Sequence, residues 1–331
     1  MSKSFDLIAI GDTATDAFIR LKEARVNCRI DTKRCEICMS FGDKIPYEFS
    51  VVVAGVGNSA NAAVSGARLG LSTALVSDIG EDHYGKEVLA SLSQNRVATD
   101  FIRSHKNKPT NYHYVLWYGE ERTILVKHEE YSYTLPDIGE PRWIYLSSLG
   151  ANSVQYHRDI QKYLLEHPRI KFAFQPGTFQ IKLGLPELKL IYKRTDIFFA
   201  NLEEASAITG IKNSNAGLLL RGVADLGPKI VVLTDGPRGA YAYENGSMWS
   251  MPAYPDPKPP LERTGAGDAF ASSVVSALAL GKTLEEGFKW GMINAMSVTQ
   301  HIGAQEGLLT QADISALLKK APPAFKFQKF V

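Results

Sequence analysis

Residues 263–273 read Arg-Thr-Gly-Ala-Gly-Asp-Ala-Phe-Ala-Ser-Ser, a glycine-rich turn that leads into a helix of small residues. The side chains at Gly265, Ala266 and Gly267 are too small to obstruct a ligand that approaches the backbone. At a helix N-terminus, the backbone N–H groups and the helix dipole favour a bound anion. Asp268 follows in the first turn, where a cap is one interpretation. Beside an anion cradle, however, its carboxylate could accept a proton from a hydroxyl during phosphoryl transfer.

Strand-like and helix-like segments alternate on both sides of this turn. Short apolar runs rich in β-branched residues predict strands, and stretches with helical periodicity predict helices between them. The predicted strands include 5–10, 72–77, 143–146, 171–174, 196–199 and 230–234, and a hairpin over 239–251 turns at Asn245-Gly246. The predicted helices include 58–69, 84–95, 153–166, 202–209, 266–280 and 284–300. This order predicts an α/β fold, a doubly wound and mostly parallel sheet with helices on both faces.

Two segments interrupt this alternation. Residues 14–50 contain no good helix, and residues 110–134 contain a hairpin signal that turns at Gly119. We expect the two segments to pair into a small β-sheet that forms a lid over a site. The predicted division is therefore a main domain of 1–13, 51–109 and 135–331, with a lid formed by 14–50 and 110–134.

A second glycine turn joins the predicted strand at 50–54 to the helix at 58–69. Gly57 opens the helix, and Asp78, 21 residues further on, ends the next strand, as in a dinucleotide-binding turn. The third glycine of that motif is missing. The amides of Asn58 and Asn61 beside a helix N-terminus instead favour a small polar ligand, and a plain strand-to-helix turn is the other interpretation.

Composition excludes several classes of protein. The chain has 331 residues, of which 45% are hydrophobic and 22% charged, an ordinary globular composition. The net charge is +2, so there is no basic excess that would indicate a nucleic-acid partner. No apolar run approaches the 18 residues of a membrane span, and no signal-peptide pattern is present, so we expect a cytoplasmic protein. Neither a P-loop nor the protein-kinase motifs occur.

The chain resembles the ribokinase-like (PfkB) family of sugar and nucleoside kinases over nearly its whole length. Three motifs carry the resemblance. Residues 56–61, Val-Gly-Asn-Ser-Ala-Asn, match the first family motif, G-G-x-x-x-N, with Val56 in place of its first glycine. Residues 201–204 match N-x-x-E, and residues 264–268 match T-G-A-G-D, the most specific of the three. The resemblance implies a doubly wound α/β domain with a β-lid.

The resemblance also implies roles for individual residues. Asp268 would be the general base, and Gly265, Ala266 and Gly267 would form the anion hole. Asn201 and Glu204 would position the Mg²⁺–phosphate assembly, with Glu204 reaching the metal through water. The implied nucleotide contacts are Thr234, Gly236, Gly239, Asn294 and Gly303, and the implied acceptor contacts are Asp16, Gly57, Asn58 and Asn61. ATP and Mg²⁺ are the implied cofactors. Activation by a monovalent cation is left open, because Glu262-Arg263 stands where the family often has Asp-Thr.

We therefore expect an ATP-dependent kinase that phosphorylates a primary hydroxyl of a small sugar. A nucleoside kinase on the same fold is the alternative, because lid aromatic residues could stack on a base; these are Tyr112, His113, Tyr114, Trp117 and Tyr118. A non-catalytic nucleotide- or sugar-binding protein and a dinucleotide-dependent oxidoreductase are further alternatives.

Two features of the lid lead to separate expectations. Cys28, Cys35 and Cys38 are three clustered cysteines with no nearby histidine, which favours buried apolar side chains or free thiols over a zinc site or a redox pair. Apolar residues such as Phe18, Val115, Trp117 and Ile124 exceed what one inner sheet face needs. A lid open to water would have one polar face, so the apolar content predicts a homodimer formed through the lid.

Overall fold

The computed structural model describes residues 4–28, 35–119, 121–212 and 215–330. The strands in these ranges are β1 (Leu7–Ile10), β2 (Ala14–Leu21), β3 (Arg25–Cys28), β4 (Cys35–Cys38), β5 (Tyr47–Val56), β6 (Thr73–Gly80), β7 (Val97–Ala98), β8 (Ile102–His105), β9 (Tyr112–Tyr118), β10 (Glu121–Leu125), β11 (Trp143–Leu146), β12 (Lys171–Phe174), β13 (Ile197–Asn201), β14 (Ile230–Thr234), β15 (Ala240–Glu244), β16 (Ser247–Met251) and β17 (Gln328–Lys329).

The helices lie between these strands and follow them. They are α1 (Asn58–Arg68), α2 (His83–Gln94), α3 (Val154–Glu166), α4 (Thr178–Leu183), α5 (Leu185–Arg194), α6 (Leu202–Thr209), α7 (Ala216–Ala224), α8 (Ala266–Ala279), α9 (Leu284–Val298) and α10 (Gln311–Leu318). A 3₁₀ turn spans Gly236–Arg238. Among the described residues, the helices are too short or too polar to cross a membrane.

The large sheet has the predicted doubly wound, mostly parallel architecture. Its order is β7-β6-β1-β11-β12-β13-β14-β15-β16-β17, and β8 also pairs with β6. The pairings from β7 to β14 are parallel, whereas those of β15 to β17 are antiparallel. The fold class expected from the sequence is thereby confirmed.

Side chains of the central strand β1 show why both faces of the sheet are covered. Leu7 and Ala9 belong to one core, which contains the apolar faces of α1, α8 and α9. Ile8 and Ile10 point the other way, into a second core with α3, α5 and α7. Alternate residues of a strand face opposite sides of the sheet, so an uninterrupted apolar strand requires helices on both sides. The carboxyl ends of these parallel strands meet at one edge, where polar residues gather.

The two interrupting segments form a separate small sheet, which we call the lid sheet, in the order β10-β9-β2-β5. The first lid segment was predicted to end at residue 50, but β5 continues to Val56. It does so because Ala14 and the rest of β2 pair with β5 along its whole length. The strand that enters α1 is therefore part of the lid sheet, so the lid and the glycine turn before α1 share one continuous strand.

The cysteines lie on a two-stranded ribbon of β3 and β4 beside the lid sheet. Cys35 is disulfide-bonded, so the prediction of free thiols is wrong for this residue. Cys28 lies directly opposite Cys35 in the antiparallel register. Cys38 is a free, half-buried thiol, as predicted.

Candidate active site

The turn before α8 is the segment predicted to form an anion cradle. Gly265 is the N-cap of α8 and has a φ of 77°, a left-handed conformation that L side chains rarely adopt. A Cβ at Gly265 would overlap the Cβ of Ala304. Glycine is therefore required here for α8, a helix with 11 buried residues, to begin at this point.

Asp268, in the first turn of α8, is buried and bonded only by side-chain amides. Its Oδ1 accepts hydrogen bonds from Asn58 Nδ2 at 2.8 Å and from Gln175 Nε2 at 3.2 Å. Its Oδ2 accepts one from Asn61 Nδ2 at 2.9 Å. Burial raises the pKa of Asp268, and these hydrogen bonds offset only part of that effect. Among the described residues no cationic side chain forms an ion pair with Asp268, and a buried carboxylate of this kind with a raised pKa is a candidate general base.

Asn58 and Asn61 reach Asp268 because α1 begins at Gly57. The φ of Gly57 is 116°, and a Cβ there would lie 2.7 Å from the carbonyl oxygen of Asp12. Asn61 is oriented in turn by Gln305, whose Nε2 donates to Asn61 Oδ1 at 2.9 Å. Two amides of α1 thus bond the Asp268 carboxylate, and one of them is held in place by a residue from a distant part of the chain.

Gln175 and Gln305 complete this arrangement and were not singled out from the sequence. Gln175 directly follows β12, and Tyr145 donates a hydrogen bond to its Oε1. Its position just after a parallel strand was a usable signal, because such positions line the ligand edge of α/β sheets. Gln305 lies in an irregular segment after α9, where no sequence pattern indicates its direction.

Asn201 and Glu204 form a reciprocal capping box at the start of α6. Glu204 N donates to Asn201 Oδ1 at 2.8 Å, and Asn201 N donates to Glu204 Oε2 at 2.9 Å. Burial raises the pKa of Glu204, and the negative charge of Asp268 raises it further, against the hydrogen bond from Asn201. Both residues also line a cavity at the carboxyl edge of the sheet, so the capping role does not remove them from the predicted site.

A cavity of about 510 Å³ lies between the lid sheet and the carboxyl edge of the large sheet. Its lining contains the predicted residues Asp16, Gly57, Asn58, Asn61, Asn201, Glu204, Thr234, Gly265, Gly267 and Asp268. Asp16 is also buried, and its Oδ1 lies 3.2 Å from Nδ1 of His113. The lid contributes His113, Arg122, Ile124, Val126 and His128 to the walls of this cavity, which we call the acceptor cavity.

A second, largely apolar cavity of about 240 Å³ adjoins the first. Thr234, Gly236 and Gly239, the residues expected to contact the nucleotide, line it together with Ala266. Its apolar walls are Tyr254, Phe270, Met292, Ala295 and Met296. Thr234, Arg263 and Gly267 line both cavities, so the two spaces meet at the glycine turn.

Two predicted nucleotide contacts lie elsewhere. Asn294 is fully buried, where it donates to Ser273 Oγ at 2.7 Å and accepts from Leu309 N at 2.9 Å. The prediction of a ligand contact for Asn294 is wrong, because helical spacing turns Met292 and Met296 toward the cavity instead. Gly303 lines neither cavity, and its N–H donates to Glu262 Oε1 at 2.8 Å.

Both carboxylate oxygens of Glu262 accept hydrogen bonds from backbone N–H groups. Its other oxygen, Oε2, accepts from Thr264 N at 2.6 Å, and the residue is only 2% exposed. This carboxylate ties the segment before the glycine turn to the segment around Gly303. Glu262, the residue that left cation activation open, therefore holds the glycine turn in place through these hydrogen bonds.

Four of the five lid aromatic residues predicted to stack on a base do not line the acceptor cavity. The register pairs Ala17 with Tyr114, and Phe18 with Val115, on opposite faces of the sheet. Tyr114 points outward and is 49% exposed, and Trp117 is buried in the lid sheet against Arg20 and Phe49. Of the aromatic residues proposed for stacking, His113 lines the acceptor cavity.

Comparison with known proteins identifies relatives that match most of the chain. Ribokinase from Bacillus subtilis is 26% identical over 269 residues, which cover 79% of this chain and 87% of that protein. Nucleoside kinase from Methanothermobacter thermautotrophicus is 24% identical over 320 residues, which cover 93% and 94%. The structure of Arabidopsis thaliana ribokinase complexed with ribose and ATP is similar with a TM-score of 0.77 and 20% identity, covering 96% of this chain and 99% of that chain.

The family model of the pfkB family carbohydrate kinases matches residues 26–311. This range contains the glycine turn, Asp268, the acidic capping box and most of the lid sheet. The match agrees with the resemblance seen in the three motifs, and the neighbouring solved structure confirms the ribokinase fold. The chain therefore belongs to the pfkB family of carbohydrate kinases and is an ATP-dependent phosphotransferase.

Proposed function

We propose that the protein transfers the γ-phosphoryl group of ATP to a primary hydroxyl of a small sugar, with Asp268 as the general base. One observation carries this proposal. The Asp268 carboxylate, held by three neutral amides and with a raised pKa, faces the acceptor cavity beside the N-terminus of α8. A proton acceptor and an anion-binding helix terminus at one point suit phosphoryl transfer to a hydroxyl.

In the proposed reaction, Asp268 takes the proton of the acceptor hydroxyl as that oxygen bonds to the γ-phosphorus. The bond between the γ-phosphorus and the oxygen that bridges to the β-phosphate breaks, and ADP leaves. The backbone N–H groups of Gly265, Ala266 and Gly267 would stabilise the charge that develops on the transferring group. Asn58, Asn61 and Gln175 keep the carboxylate in place, so little reorganisation is needed.

The apolar cavity suits the base of the nucleotide. Tyr254, Met292 and Met296 offer flat and polarisable contacts, while Thr234 lies where this cavity opens into the acceptor cavity. The triphosphate would pass over Gly267, which has no side chain to block the passage.

The acidic residues of the site fit a magnesium ion. Glu204 carries a raised pKa because it is buried near another carboxylate, Asp268, and a bound cation would relieve that repulsion. Mg²⁺ keeps several waters and takes few protein oxygens, which suits a contact from Glu204 through water. When bound, the ion would neutralise charge on the phosphates. Asn201 holds Glu204 in the required direction through the capping box.

Asp16 supports recognition of the acceptor, because it is buried, lines the acceptor cavity and lies beside His113. A nucleoside is the second candidate acceptor. His128 and Phe179 line the same cavity with their rings edge to face at 5.4 Å, a surface against which a base could pack. The similarity to a nucleoside kinase from Methanothermobacter thermautotrophicus also keeps this class in view.

A homodimer formed through the lid is part of this proposal. The residues that led to this prediction, Phe18, Val115, Trp117 and Ile124, lie on the inner face of the lid sheet. Phe18, Val115 and Trp117 are buried there. The outer face is nevertheless apolar: Val52, Ala17, Tyr114 and Leu125 form one cross-strand row, in which Val52, Tyr114 and Leu125 are about half exposed. A second copy of the same face would cover this row. Tyr114→Asp should therefore halve the mass measured by light scattering at micromolar concentration, and a monomeric wild type would contradict the proposal.

An ADP-release assay over a panel of neutral sugars and nucleosides, with ATP and Mg²⁺, tests the function. We expect turnover with a small sugar or a nucleoside that has a primary hydroxyl, and none with its deoxy analogue at that position. Absence of turnover across the panel, in a protein that binds ATP–Mg²⁺, would contradict the proposed acceptor class. A cytoplasmic location, where ATP is abundant, belongs to the same proposal.

A further inference from the structure

Two histidines of the lid line the acceptor cavity, and each is bonded to a buried aspartate. His128 Nδ1 lies 3.0 Å from Asp12 Oδ2, and His113 Nδ1 lies 3.2 Å from Asp16 Oδ1. A carboxylate can only accept a hydrogen bond, so Nδ1 of each ring donates. In a neutral imidazole the lone pair is then on Nε2. Each aspartate therefore fixes which nitrogen of its histidine is left for a ligand.

The two rings differ in what they leave accessible. Nε2 of His113 is enclosed by protein and makes no hydrogen bond. Nε2 of His128 also makes no hydrogen bond to any described residue, but it is not among the enclosed polar atoms. The ring centres lie 5.4 Å apart, so the two pairs form one polar wall. His128 Nε2 is the imidazole nitrogen of this wall that a ligand in the acceptor cavity can reach.

Asp12 holds His128 in a fixed direction. Tyr133 OH donates to both carboxylate oxygens of Asp12, at 2.9 and 3.0 Å, and Gly150 N donates to Tyr133 OH at 3.1 Å. The imidazole of His128 also packs edge to face with Phe179, at 5.4 Å between ring centres. Asp12 is 5% exposed and does not line the acceptor cavity. It is a positioning residue that acts through His128, because it sets the tautomer and orientation of the ring.

The order of the large sheet places His128 away from the reacting hydroxyl. Asp12 follows β1, whereas Gln175, a partner of Asp268, follows β12. One strand, β11, lies between β1 and β12, so two strand spacings separate these positions by about 10 Å. A small sugar with a hydrogen bond at each end spans a distance of this order. One end of the acceptor would thus reach Asp268, and the other end would reach His128.

The surroundings of His128 suit a hydroxyl group. Lys182 also lines the acceptor cavity, and its Nζ lies 5.8 Å from the centre of the Phe179 ring that His128 contacts. The ammonium group of Lys182 makes no ion pair among the described residues. A hydroxyl can donate to an imidazole Nε2 and accept from an ammonium group at the same time, whereas a carboxylate can only accept.

We propose that His128, positioned by Asp12, selects the acceptor by accepting a hydrogen bond from a hydroxyl at the end of the acceptor remote from Asp268. This inference rests on the proposed function and narrows its acceptor class to polyhydroxy compounds in which that hydroxyl is free. An acceptor without the hydroxyl leaves Nε2 unpaired in the covered cavity, which costs binding free energy. Sites that hydrogen-bond a substrate hydroxyl reject analogues without it for the same reason.

The test combines variants of the protein with deoxy acceptors. The acceptor found in the ADP-release screen is compared with its monodeoxy analogues, each of which lacks one hydroxyl other than the one that is phosphorylated. His128→Phe keeps a ring against Phe179, and His128→Gln keeps a hydrogen-bond acceptor. His105→Phe is the matched control, because His105 Nε2 lies 2.6 Å from the buried Asp78 carboxylate and His105 does not line the acceptor cavity. Each combination is assayed for kcat and acceptor KM, and ATP affinity is measured by calorimetry.

We expect one monodeoxy analogue to have a kcat/KM about 10–10²-fold lower than the full acceptor with wild-type protein, the effect of one lost hydrogen bond. His128→Phe should lower kcat/KM for the full acceptor by a similar factor, mainly through KM, and should lose nothing further with that analogue. His128→Gln should recover part of the loss. Asp12→Asn should weaken the same preference, because an amide can also donate to Nδ1 and so reverse the tautomer. His105→Phe should keep the wild-type KM, and ATP affinity should not change in any variant.

An unchanged acceptor KM in folded His128→Phe would overturn this role. Equal losses for every analogue in His128→Phe and in wild type would also overturn it, as would a wild-type protein that is indifferent to the removal of each hydroxyl. The wild-type comparison needs no variant, so it tests the proposal even where a variant does not fold. A loss in His128→Phe confined to acceptors with an acidic group or a base would overturn the hydroxyl contact and assign the ring to that group. Failure of the wild-type protein to bind ATP–Mg²⁺ would instead refute the proposed function itself.

Discussion

Asp268 and Asp196 are two carboxylates of similar burial, 8% and 6% exposed, in very different surroundings. Asp268 is held by the amides of Asn58, Asn61 and Gln175, and burial raises its pKa. Burial also tends to raise the pKa of Asp196, but hydrogen bonds from Lys229 and from Phe172 N hold it below its ordinary value. Lys229 and Arg194 contact Asp196 at 2.7 and 3.1 Å.

The difference shows how a fold separates structure from chemistry. At Asp196, beside the start of β13, cations neutralise the carboxylate, so its proton affinity is low and its contribution is to stability. At Asp268, neutral donors fix the geometry without neutralising the charge, so the proton affinity of the carboxylate stays high. A buried carboxylate with amide partners at the carboxyl edge of a sheet is therefore the better candidate for a base.

Asp268→Asn should produce the largest effect. The amide keeps the size of the side chain but cannot take a proton, so we expect kcat to fall by about 10²–10⁴-fold. ATP affinity should stay near wild type, because the glycine turn and the helix N-terminus remain. Turnover and ATP affinity measured on one preparation check this, with Asp196→Asn as the matched substitution. Near-normal turnover by folded Asp268→Asn protein would refute its role as the base.

Gly267→Ala tests the passage between the two cavities. A Cβ at Gly267 meets no atom within 4 Å, so the fold tolerates it, but it would occupy space that both cavities share. We expect kcat/KM for ATP to fall by up to about 10²-fold through misplacement of the phosphates, without loss of thermal stability. Gly265→Ala is the control, since its φ of 77° and the overlap with Ala304 should lower stability as well. Wild-type kinetics for Gly267→Ala would place the phosphates elsewhere.

Asp196→Asn should show the reverse pattern. Loss of the charged hydrogen bonds to Lys229 and Arg194 should lower the free energy of unfolding by about 1–3 kcal/mol at neutral pH. Turnover per folded molecule should not change. Because the folded pKa of Asp196 is lowered, its contribution is present above the ordinary value of 3.8 and is lost as the pH falls below it. Denaturation at pH 7 and near pH 3 measures this, and an equal penalty at both would contradict the ion-pair explanation.

The smallest effect concerns the pH dependence of the reaction. The raised pKa of Asp268 means that activity should be lost, as the pH falls, at a pH above the ordinary aspartate value of 3.8. Asn58→Ala removes a donor that lowers this pKa, and Asn58 makes no other side-chain hydrogen bond among the described residues. The acid limb of kcat against pH should therefore move to higher pH in this variant. A limb that stays in place would mean that another group controls it.

Local pattern was sufficient for the architecture and for the choice of Asp268 as the candidate base. Short apolar runs rich in β-branched residues, such as 230–234, favour strands buried on both faces, and the predicted bounds of β11, β12 and β14 agree with the structure. The glycines around Ala266 and the acid that follows them indicate an anion site, because only small residues permit that close approach to backbone N–H groups. These inferences need only residues that are neighbours in sequence.

What the tertiary structure decided is which distant side chains meet. Gln175, Gln305 and Arg122 converge on the site from a strand end, an irregular segment and the lid, and no local periodicity specifies where such side chains point. Asn294 shows the opposite case. It was predicted to contact a ligand, but its position on α9 directs it into the core, where it is buried and hydrogen-bonded. Strand register likewise directed Tyr114 outward and His113 inward, because adjacent residues of a strand face opposite sides. Direction depends on packing partners far away in the chain, and only the folded molecule contains them.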